Sequence, residues 1–161
     1  MMRDYVSVAE RLASGGTRGD GIRATTDALW DELRDKNVSW VGFYVCAAEA
    51  AELVLEYCRD KPACSPIGLH GACGLCLTEK RPLLVRDVRA LGDRYVACDP
   101  RDLSEVVLPC IGEDGACWGV LDLDSFEVGA FDESDVRGLS RVLSAAGLTS
   151  TASASAEALV L

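Results

Sequence analysis

The sequence predicts an α+β domain in which a central antiparallel β-sheet packs against helices. Apolar residues recur at helical spacing near the beginning and near the end of the chain, and they alternate with polar residues in between. The alternating segments come in two pairs, each joined by a short connection, which is typical of antiparallel hairpins. Because a half-buried sheet needs a covering layer, we expect the helices to lie outside it.

Two short helices are predicted at the beginning. Tyr5, Ala9 and Leu12 recur at helical spacing, and the glycine-rich stretch 15–21 interrupts the pattern. The second helix then carries its apolar side chains at Ile22, Leu29, Trp30 and Leu33.

Strands are predicted in the middle of the chain. Segments 39–45 and 51–58 form a first hairpin, and segments 104–111 and 117–124 form a second one across the turn signal Gly-Glu-Asp-Gly. A further short strand is predicted within 82–88, whereas prolines and glycines predict irregular structure over 59–81. Pro109 indicates that its strand runs along a sheet edge or contains a bulge.

The last predicted element is a helix with recognisable boundaries. Asp132 provides the N-cap, an apolar stripe follows, and Gly147 ends the helix. The remaining residues are small and polar until their apolar end, which indicates a loose tail or a segment that docks on a partner. We therefore expect a single domain over 1–147 and a C-terminal tail over 148–161.

The charge of the chain excludes several classes of partner. The 161 residues carry a formal net charge of −10. Nucleic-acid binding and binding to anionic membranes both require clustered Lys and Arg, and carboxylates outnumber them here. No segment is long and apolar enough to span a bilayer. We expect no nucleic-acid partner and no membrane partner.

The cysteine content indicates thiol chemistry. The chain begins without the apolar region of a secretion signal, so we expect a cytoplasmic protein whose eight cysteines are mostly reduced. Cys64, Cys73 and Cys98 occur in stretches rich in proline, glycine or charge, where thiols are reachable by solvent and oxidants. The cysteines in predicted strands are interpreted as small packed hydrophobes: Cys46, Cys58, Cys110 and Cys117.

Four roles are open for Cys98: a packed hydrophobe, a metal ligand, a disulfide partner or a reactive thiolate. Arg94 and Arg101 would lower the pKa of its thiol, and neighbouring aspartates oppose them. Cys73 and Cys76 have the spacing of metal ligands, but a zinc ribbon normally has two such pairs. We expect no metal and no cofactor. The lone histidine, His70, lies in a glycine-rich stretch typical of a turn rather than of a Cys–His mechanism.

Carboxylates are predicted to gather on one sheet face. Asp122 and Asp124 alternate with leucines, which puts both side chains on the same face of a strand. Glu105 begins the neighbouring strand, so the three carboxylates could share one pocket in which mutual repulsion keeps one of them protonated. An exposed acidic strand face is the alternative. A thiolate beside a protonated acid and a cation-binding acid would suit a reductase.

Several short motifs, in order along residues 20–145, resemble the free methionine-(R)-sulfoxide reductases, which are stand-alone GAF domains. They are SWVGFYV, KPAC, GACG, YVACD, SEVVLP and GVLDLDS followed by FDESD. The resemblance implies a GAF-like fold, a homodimer, and a pocket closed by loops that carry three cysteines. It places these cysteines at Cys64, Cys73 and Cys98.

The resemblance also implies the chemistry. Its substrate-binding acids match Glu105, Asp122 and Asp124, and its pocket aromatics match Trp40 and Tyr44. A thiolate attacks the sulfoxide sulfur of free methionine sulfoxide while an acid protonates the oxygen, and a second thiol resolves the sulfenic acid into a disulfide that thioredoxin reduces.

Individual roles follow from this scheme. We assign attack to Cys98, resolution to Cys64 or Cys73, and protonation to Glu105 or an aspartate. The aspartates would hold the substrate ammonium. The two aromatic residues would contact the methyl-thioether end, with core packing as their alternative role. The alternatives for the whole protein are a non-catalytic GAF module that binds a small molecule and a thiol redox sensor.

Overall fold

The fold consists of a seven-stranded β-sheet with α-helices packed on both of its faces. A computed structural model describes residues 2–13, 15–47, 51–96 and 98–161. Its helices are α1 (Tyr5–Arg11), α2 (Arg18–Leu33), α3 (Ala72–Glu79) and α4 (Glu133–Ala145). Its strands are β1 (Trp40–Cys46), β2 (Glu52–Arg59), β3 (Ile67–Gly68), β4 (Leu83–Val85), β5 (Ser104–Ile111), β6 (Cys117–Ser125) and β7 (Leu159–Val160).

The sheet order is β3-β2-β1-β6-β5-β4-β7. Every neighbouring pair is antiparallel except β4 and β7, which are parallel. The predicted α+β class with a central antiparallel sheet is therefore confirmed, with one parallel pair added at the edge. Both predicted hairpins are present, and their strands begin and end within a residue of the expected positions.

The two faces of the sheet bury different side chains, as strand alternation requires. Val41 and Phe43 of β1 face a core shared with α1, α2 and α4. Trp40 and Tyr44 of the same strand face a second core, which α3 covers. The first face is packed continuously, whereas the second contains the pocket described below.

Both long helices have well-formed N-termini. Thr17 accepts a hydrogen bond from the backbone of Asp20, whose side chain accepts one in return, so α2 begins with a capping box. Asp132 and Asp135 form the same arrangement at the beginning of α4, which confirms the predicted cap. Gly147, at φ +71°, follows the end of α4 as expected.

Helix α3 was missed in the sequence, which predicted irregular structure over 59–81. Its eight residues contain two cysteines and a glycine, and its N-cap Gly71 has no side chain to cap it. Gly74 is required by packing, because a Cβ there would stand 2.1 Å from the carbonyl oxygen of Leu69. The helix is therefore specified by its close approach to the preceding loop rather than by helix propensity.

Two further expectations need correction. Strand β5 lies inside the sheet, but β4 pairs only with residues 105–107, so Pro109 lies beyond the end of β4. The pairing register with β6 shifts between Cys110 and Ile111, and the extra residue, Trp118, belongs to β6, so the bulge expected in β5 is on its partner strand. Residues 148–161 do not form a loose tail, because β7 pairs with β4. The backbone N–H of Leu159 donates to Pro82 and that of Leu161 donates to Leu84, both at 2.8 Å. The apolar end of the tail supplies these contacts.

Among the described residues, no helix combines the length and the apolar character needed to cross a membrane.

Candidate active site

A pocket opens on the sheet face that α3 partly covers. Its walls come from β1, β5 and β6, from the beginning of α3 and from five residues between α3 and β5: Tyr95, Val96, Cys98, Asp99 and Asp102. Trp40 and Tyr44 of β1 line the pocket beside three carboxylates of the neighbouring strands, and Trp40 lies directly across from Asp124. The three carboxylates are Glu105, Asp122 and Asp124. All five predicted substrate-binding residues therefore line one cavity.

The strand register brings the carboxylates together. Glu105 of β5 lies directly opposite Asp124 of β6, and Asp122 is two residues away on the same face. Their nearest oxygens all lie within 4.8 Å of one another. Within the described part of the chain, no other group of His, Cys, Asp or Glu side chains is gathered closely enough to share a metal ion. The convergence predicted from the sequence is confirmed, and the exposed strand face is excluded.

The acid cluster is strongly perturbed electrostatically. Burial, together with the charge of Asp122, raises the pKa of Glu105 and of Asp124 well above the usual range of a carboxyl. Burial also raises the pKa of Asp122 to about 7, although a hydrogen bond from Cys73 opposes that shift. Three carboxylates in one cavity cannot all ionise without a cation nearby. The acid cluster therefore holds protons near neutral pH.

One fully buried oxygen of this cluster has no hydrogen-bond partner. Oδ2 of Asp122 accepts a hydrogen bond from the thiol of Cys73 at 3.4 Å, whereas the buried Oδ1 accepts none. An unpartnered buried acceptor is costly unless a ligand supplies a donor. The cluster therefore suits a ligand with a cationic hydrogen-bond donor, such as an ammonium group.

Cys73 differs from the expectation of a reachable loop thiol. It lies in the first turn of α3 and is 6% exposed. Burial raises the pKa of its thiol well above the usual value, and the charges of Asp122 and Glu105 raise it further. Cys73 is therefore a hydrogen-bond donor to the acid cluster and a poor thiolate.

Cys64 and Cys98 form a disulfide at the mouth of the pocket. Their Cα atoms are 5.6 Å apart, and both residues are exposed. Cys98 lines the pocket itself, whereas Cys64 lies behind it on the loop that precedes β3. Among the open roles for Cys98, disulfide partner is therefore the one realised. The thiol of Cys76 donates to the carbonyl oxygen of Arg81, and within the described residues neither Cys73 nor Cys76 belongs to a group of three or more possible metal ligands.

The aromatic residues both pack and support the disulfide loop. Trp40 and Tyr44 are each 3% exposed, and their ring centroids are 6.1 Å apart. The indole N–H of Trp40 donates to the carbonyl of Lys61, and the hydroxyl of Tyr44 donates to that of Cys64, both at 2.8 Å. The two roles considered for them are thus combined, because each ring lines the pocket and holds the loop that carries Cys64.

The charged neighbours of Cys98 interact with one another. Asp99 accepts hydrogen bonds from Lys61 and from Arg101, which is 2.9 Å away. Arg94 donates to the carbonyl of His70, 3.4 Å away. Both arginines therefore have partners other than the sulfur of Cys98. His70 is exposed in the turn before α3, as its glycine-rich setting predicted.

The sequence interpretation did not place two further carboxylates, Asp99 and Asp102, in the pocket, and it misplaced Cys46 as well as Cys73. Asp102 lines the pocket, accepts a hydrogen bond from Ser39 at 2.8 Å, and has its pKa raised by burial. Asp102 could have been predicted as a pocket residue, because it lies two residues before β5 and therefore near the strand end that carries Glu105. Cys46 is exposed rather than packed, since it ends β1, whereas Cys110 is buried as predicted.

The fold and this pocket define the class of protein. The family model of the GAF domain matches residues 21–149, and the chain belongs to that family. A free methionine-R-sulfoxide reductase of Escherichia coli is 35% identical over 135 residues, which cover 82% of this chain and 78% of the relative.

Two solved structures of such reductases are similar to this chain over most of its length. The reduced form of fRMsr from Staphylococcus aureus has a TM-score of 0.81 at 28% identity and covers 91% of this chain and 94% of its own. The free methionine-R-sulfoxide reductase of Neisseria meningitidis, in complex with its substrate, has a TM-score of 0.73 at 30% identity, with 89% and 81% covered. Within the GAF domains, the chain is a member of the free methionine-(R)-sulfoxide reductase family of oxidoreductases.

Proposed function

We propose that this protein reduces free L-methionine-(R)-sulfoxide to methionine, with Cys98 as the attacking thiolate and Cys64 as the resolving thiol. One observation carries the proposal: a disulfide joins these two residues at the mouth of a pocket whose wall is an acid cluster. The proposed reaction cycle contains such a disulfide as an intermediate. The substrate is inferred from the family to which the chain belongs.

Binding begins with the substrate ammonium. Asp122 and Asp124 ionise against this cation, and the unpartnered Oδ1 of Asp122 gains a donor. Trp40 and Tyr44 provide the apolar surface for the methyl-thioether end. A pocket that encloses both the amino and the carboxyl group of a free amino acid rejects methionine sulfoxide within a peptide. The residues on either side of it would have no space in such a pocket.

The chemical step uses Cys98 and Glu105. The thiolate of Cys98 attacks the sulfoxide sulfur, and Glu105, whose raised pKa keeps it protonated, donates its proton to the oxygen. Oxygen passes to the cysteine sulfur as the sulfenic acid, and methionine is released with its sulfur reduced by two electrons. We choose Cys98 for attack because it lines the pocket and Cys64 does not.

Resolution regenerates the disulfide form. The thiolate of Cys64 attacks the sulfenic sulfur of Cys98, an S–S bond forms, and the hydroxyl leaves as water after protonation. Cys73 is excluded from this role in the proposal because it is buried against Asp122. Thioredoxin then returns both cysteines to thiols. A homodimer, which the family resemblance implies, is part of the same proposal.

The test is substrate consumption by the reduced protein. Free L-methionine-(R)-sulfoxide, its (S)-epimer and a peptide-bound sulfoxide are each supplied with dithiothreitol or thioredoxin. We expect turnover of the free (R)-epimer alone, and its loss in Cys98→Ser. If nothing is consumed, the non-catalytic GAF module or the redox sensor replaces the reductase. If Cys98→Ser still turns over, the attacking thiol is a different cysteine.

A further inference from the structure

The surface around the exposed disulfide has a composition that the proposed reaction does not require. Phe126 follows the end of β6 and is 40% exposed. The guanidinium of Arg101 lies 4.6 Å from its ring centroid, and the ammonium of Lys61 lies 5.1 Å from it. Two cations thus make cation–π contacts with one exposed aromatic ring. Both form their ion pairs with Asp99 rather than with a carboxylate of the acid cluster.

This aromatic residue is connected to the disulfide by short contacts. Lys61 and Arg101 both bind Asp99, which adjoins Cys98 in the chain. Lys61, Asp99, Arg101 and Cys98 also line a shallow cleft beside the pocket mouth. On the other side of Cys98, the exposed side chains of Tyr95 and Val96 line the rim of the pocket itself.

We propose that this surface, made of Phe126, Lys61, Arg101, Tyr95 and Val96 around the Cys64–Cys98 disulfide, is the docking site for an acidic dithiol protein that reduces the disulfide. The inference rests on the proposed function, since it names the surface at which the reductant of that cycle binds.

The charge of the surface favours this occupant. The protein has a net charge of −10, yet at this place the side chains of Lys61 and Arg101 are more exposed than that of Asp99. The two other carboxylates of the cleft, Asp102 and Asp124, are half-buried, so the cations are the charges that a partner meets first. Arg101 is 65% exposed in its side chain and available to a partner. An apolar centre with a charged rim is the usual anatomy of a protein interface, and aromatic and arginine side chains carry most of the binding free energy there.

The dithiol partner supplies both electrons that reduce the Cys64–Cys98 disulfide. A thiolate of the dithiol protein attacks one sulfur of the Cys64–Cys98 disulfide, that bond breaks, and the released sulfur takes a proton. The second thiol of the partner then attacks the mixed disulfide. The partner leaves oxidised by two electrons, and Cys64 and Cys98 are both thiols again.

The test uses oxidised full-length protein and needs no sulfoxide, so its outcome does not depend on the proposed function. Reduction of the disulfide is followed by thiol release, with reduced thioredoxin as the protein reductant and dithiothreitol as the small one. We expect Phe126→Ala and Arg101→Glu each to slow reduction by thioredoxin about tenfold, because aromatic and arginine side chains are the ones whose loss most weakens a protein interface. Reduction by dithiothreitol should be unchanged.

Matched controls lie elsewhere on the protein. Val54→Ala removes an equally exposed apolar side chain on β2, and Arg141→Glu makes the same charge reversal on α4, on the other sheet face. Both should match the wild type with either reductant. Added salt should slow thioredoxin in the wild type more than in Arg101→Glu, because screening removes the same attraction.

Three results would overturn the docking site. Equal thioredoxin rates for the wild type and both variants would show that the surface is not contacted. Equal losses with dithiothreitol would show that the side chains act on the disulfide itself. A dimer that dissociates in Phe126→Ala, with an unchanged thioredoxin rate, would assign the surface to a second copy of this chain.

Discussion

Replacing Asp122 by asparagine removes the charge that the proposed mechanism gives to the substrate ammonium, and it changes the shape of the site little. The asparagine oxygen can still accept the hydrogen bond that Cys73 donates. Its amide nitrogen then takes the place of Oδ1, the buried oxygen that accepts no hydrogen bond, so N–H donors replace an acceptor inside the acid cluster. The substitution therefore removes an attraction and adds a repulsion.

The size of the effect follows from the burial of this carboxyl. Asp122 is 6% exposed, so water cannot replace the lost charge. Removing one partner of a buried ion pair costs about 3–5 kcal/mol, and each 1.4 kcal/mol corresponds to about tenfold in affinity. Because Asp124 still faces the ammonium, we expect the low end of this range, so the KM for free L-methionine-(R)-sulfoxide should rise at least about 100-fold. The change in kcat should be smaller because Cys98 and Glu105 are retained.

Initial rates with dithiothreitol over a range of substrate concentrations separate the two constants. Asp31→Asn is the matched control, since Asp31 is exposed on α2, whose helix covers the other face of the sheet. An unchanged KM in Asp122→Asn would refute the assignment of the ammonium to this carboxylate. A loss confined to kcat would instead make Asp122 the proton donor.

Three further predictions concern the resolving cysteine, the acid cluster and α3. Cys64→Ser should release one methionine per protein and then stop, leaving Cys98 as a sulfenic acid that dimedone and mass spectrometry detect; continued turnover with thioredoxin would contradict its role. The raised pKa of Asp122, about 7, makes the unliganded protein most stable below the pKa of the unfolded state and less stable as pH rises through 7. The thermal midpoint of Asp122→Asn should therefore rise relative to that of the wild type between about pH 4 and 7 and keep a constant offset above pH 7, and parallel curves across that range would exclude this linkage. Gly74→Ala, whose Cβ would stand 2.1 Å from a backbone oxygen, should lower the midpoint by about 5 °C, whereas Gly19→Ala, 3.8 Å from its nearest neighbour, should not; similar midpoints would contradict the packing argument.

The sequence located the acid cluster because strand alternation is a strong and local signal. A period of two placed Asp122 and Asp124 on one face, and the hairpin joining β5 to β6 brought Glu105 beside them. The alternation also separated Trp40 from Val41 correctly, since they face the two different cores. These features depend on pairings between strands that are neighbours in the chain.

The features that the sequence did not predict depend on tertiary contacts. Helix α3 forms where Gly74 packs on the backbone of Leu69, and its glycines and cysteines give no helical periodicity. Cys73 is therefore buried although its neighbours indicated a loop. The two-residue strand β7 is too short to have a pattern, and its parallel pairing with β4 follows from the apolar end of the tail.

The central claim is that sulfoxide reduction converts Cys64 and Cys98 from thiols into their disulfide. The most direct measurement mixes fully reduced protein with one equivalent of free L-methionine-(R)-sulfoxide, without any reductant, and then alkylates and maps the cysteines. The account predicts one methionine per protein, a Cys64–Cys98 linkage and an alkylated Cys73. Methionine formation with a different cysteine pair, or no methionine at all, would contradict it.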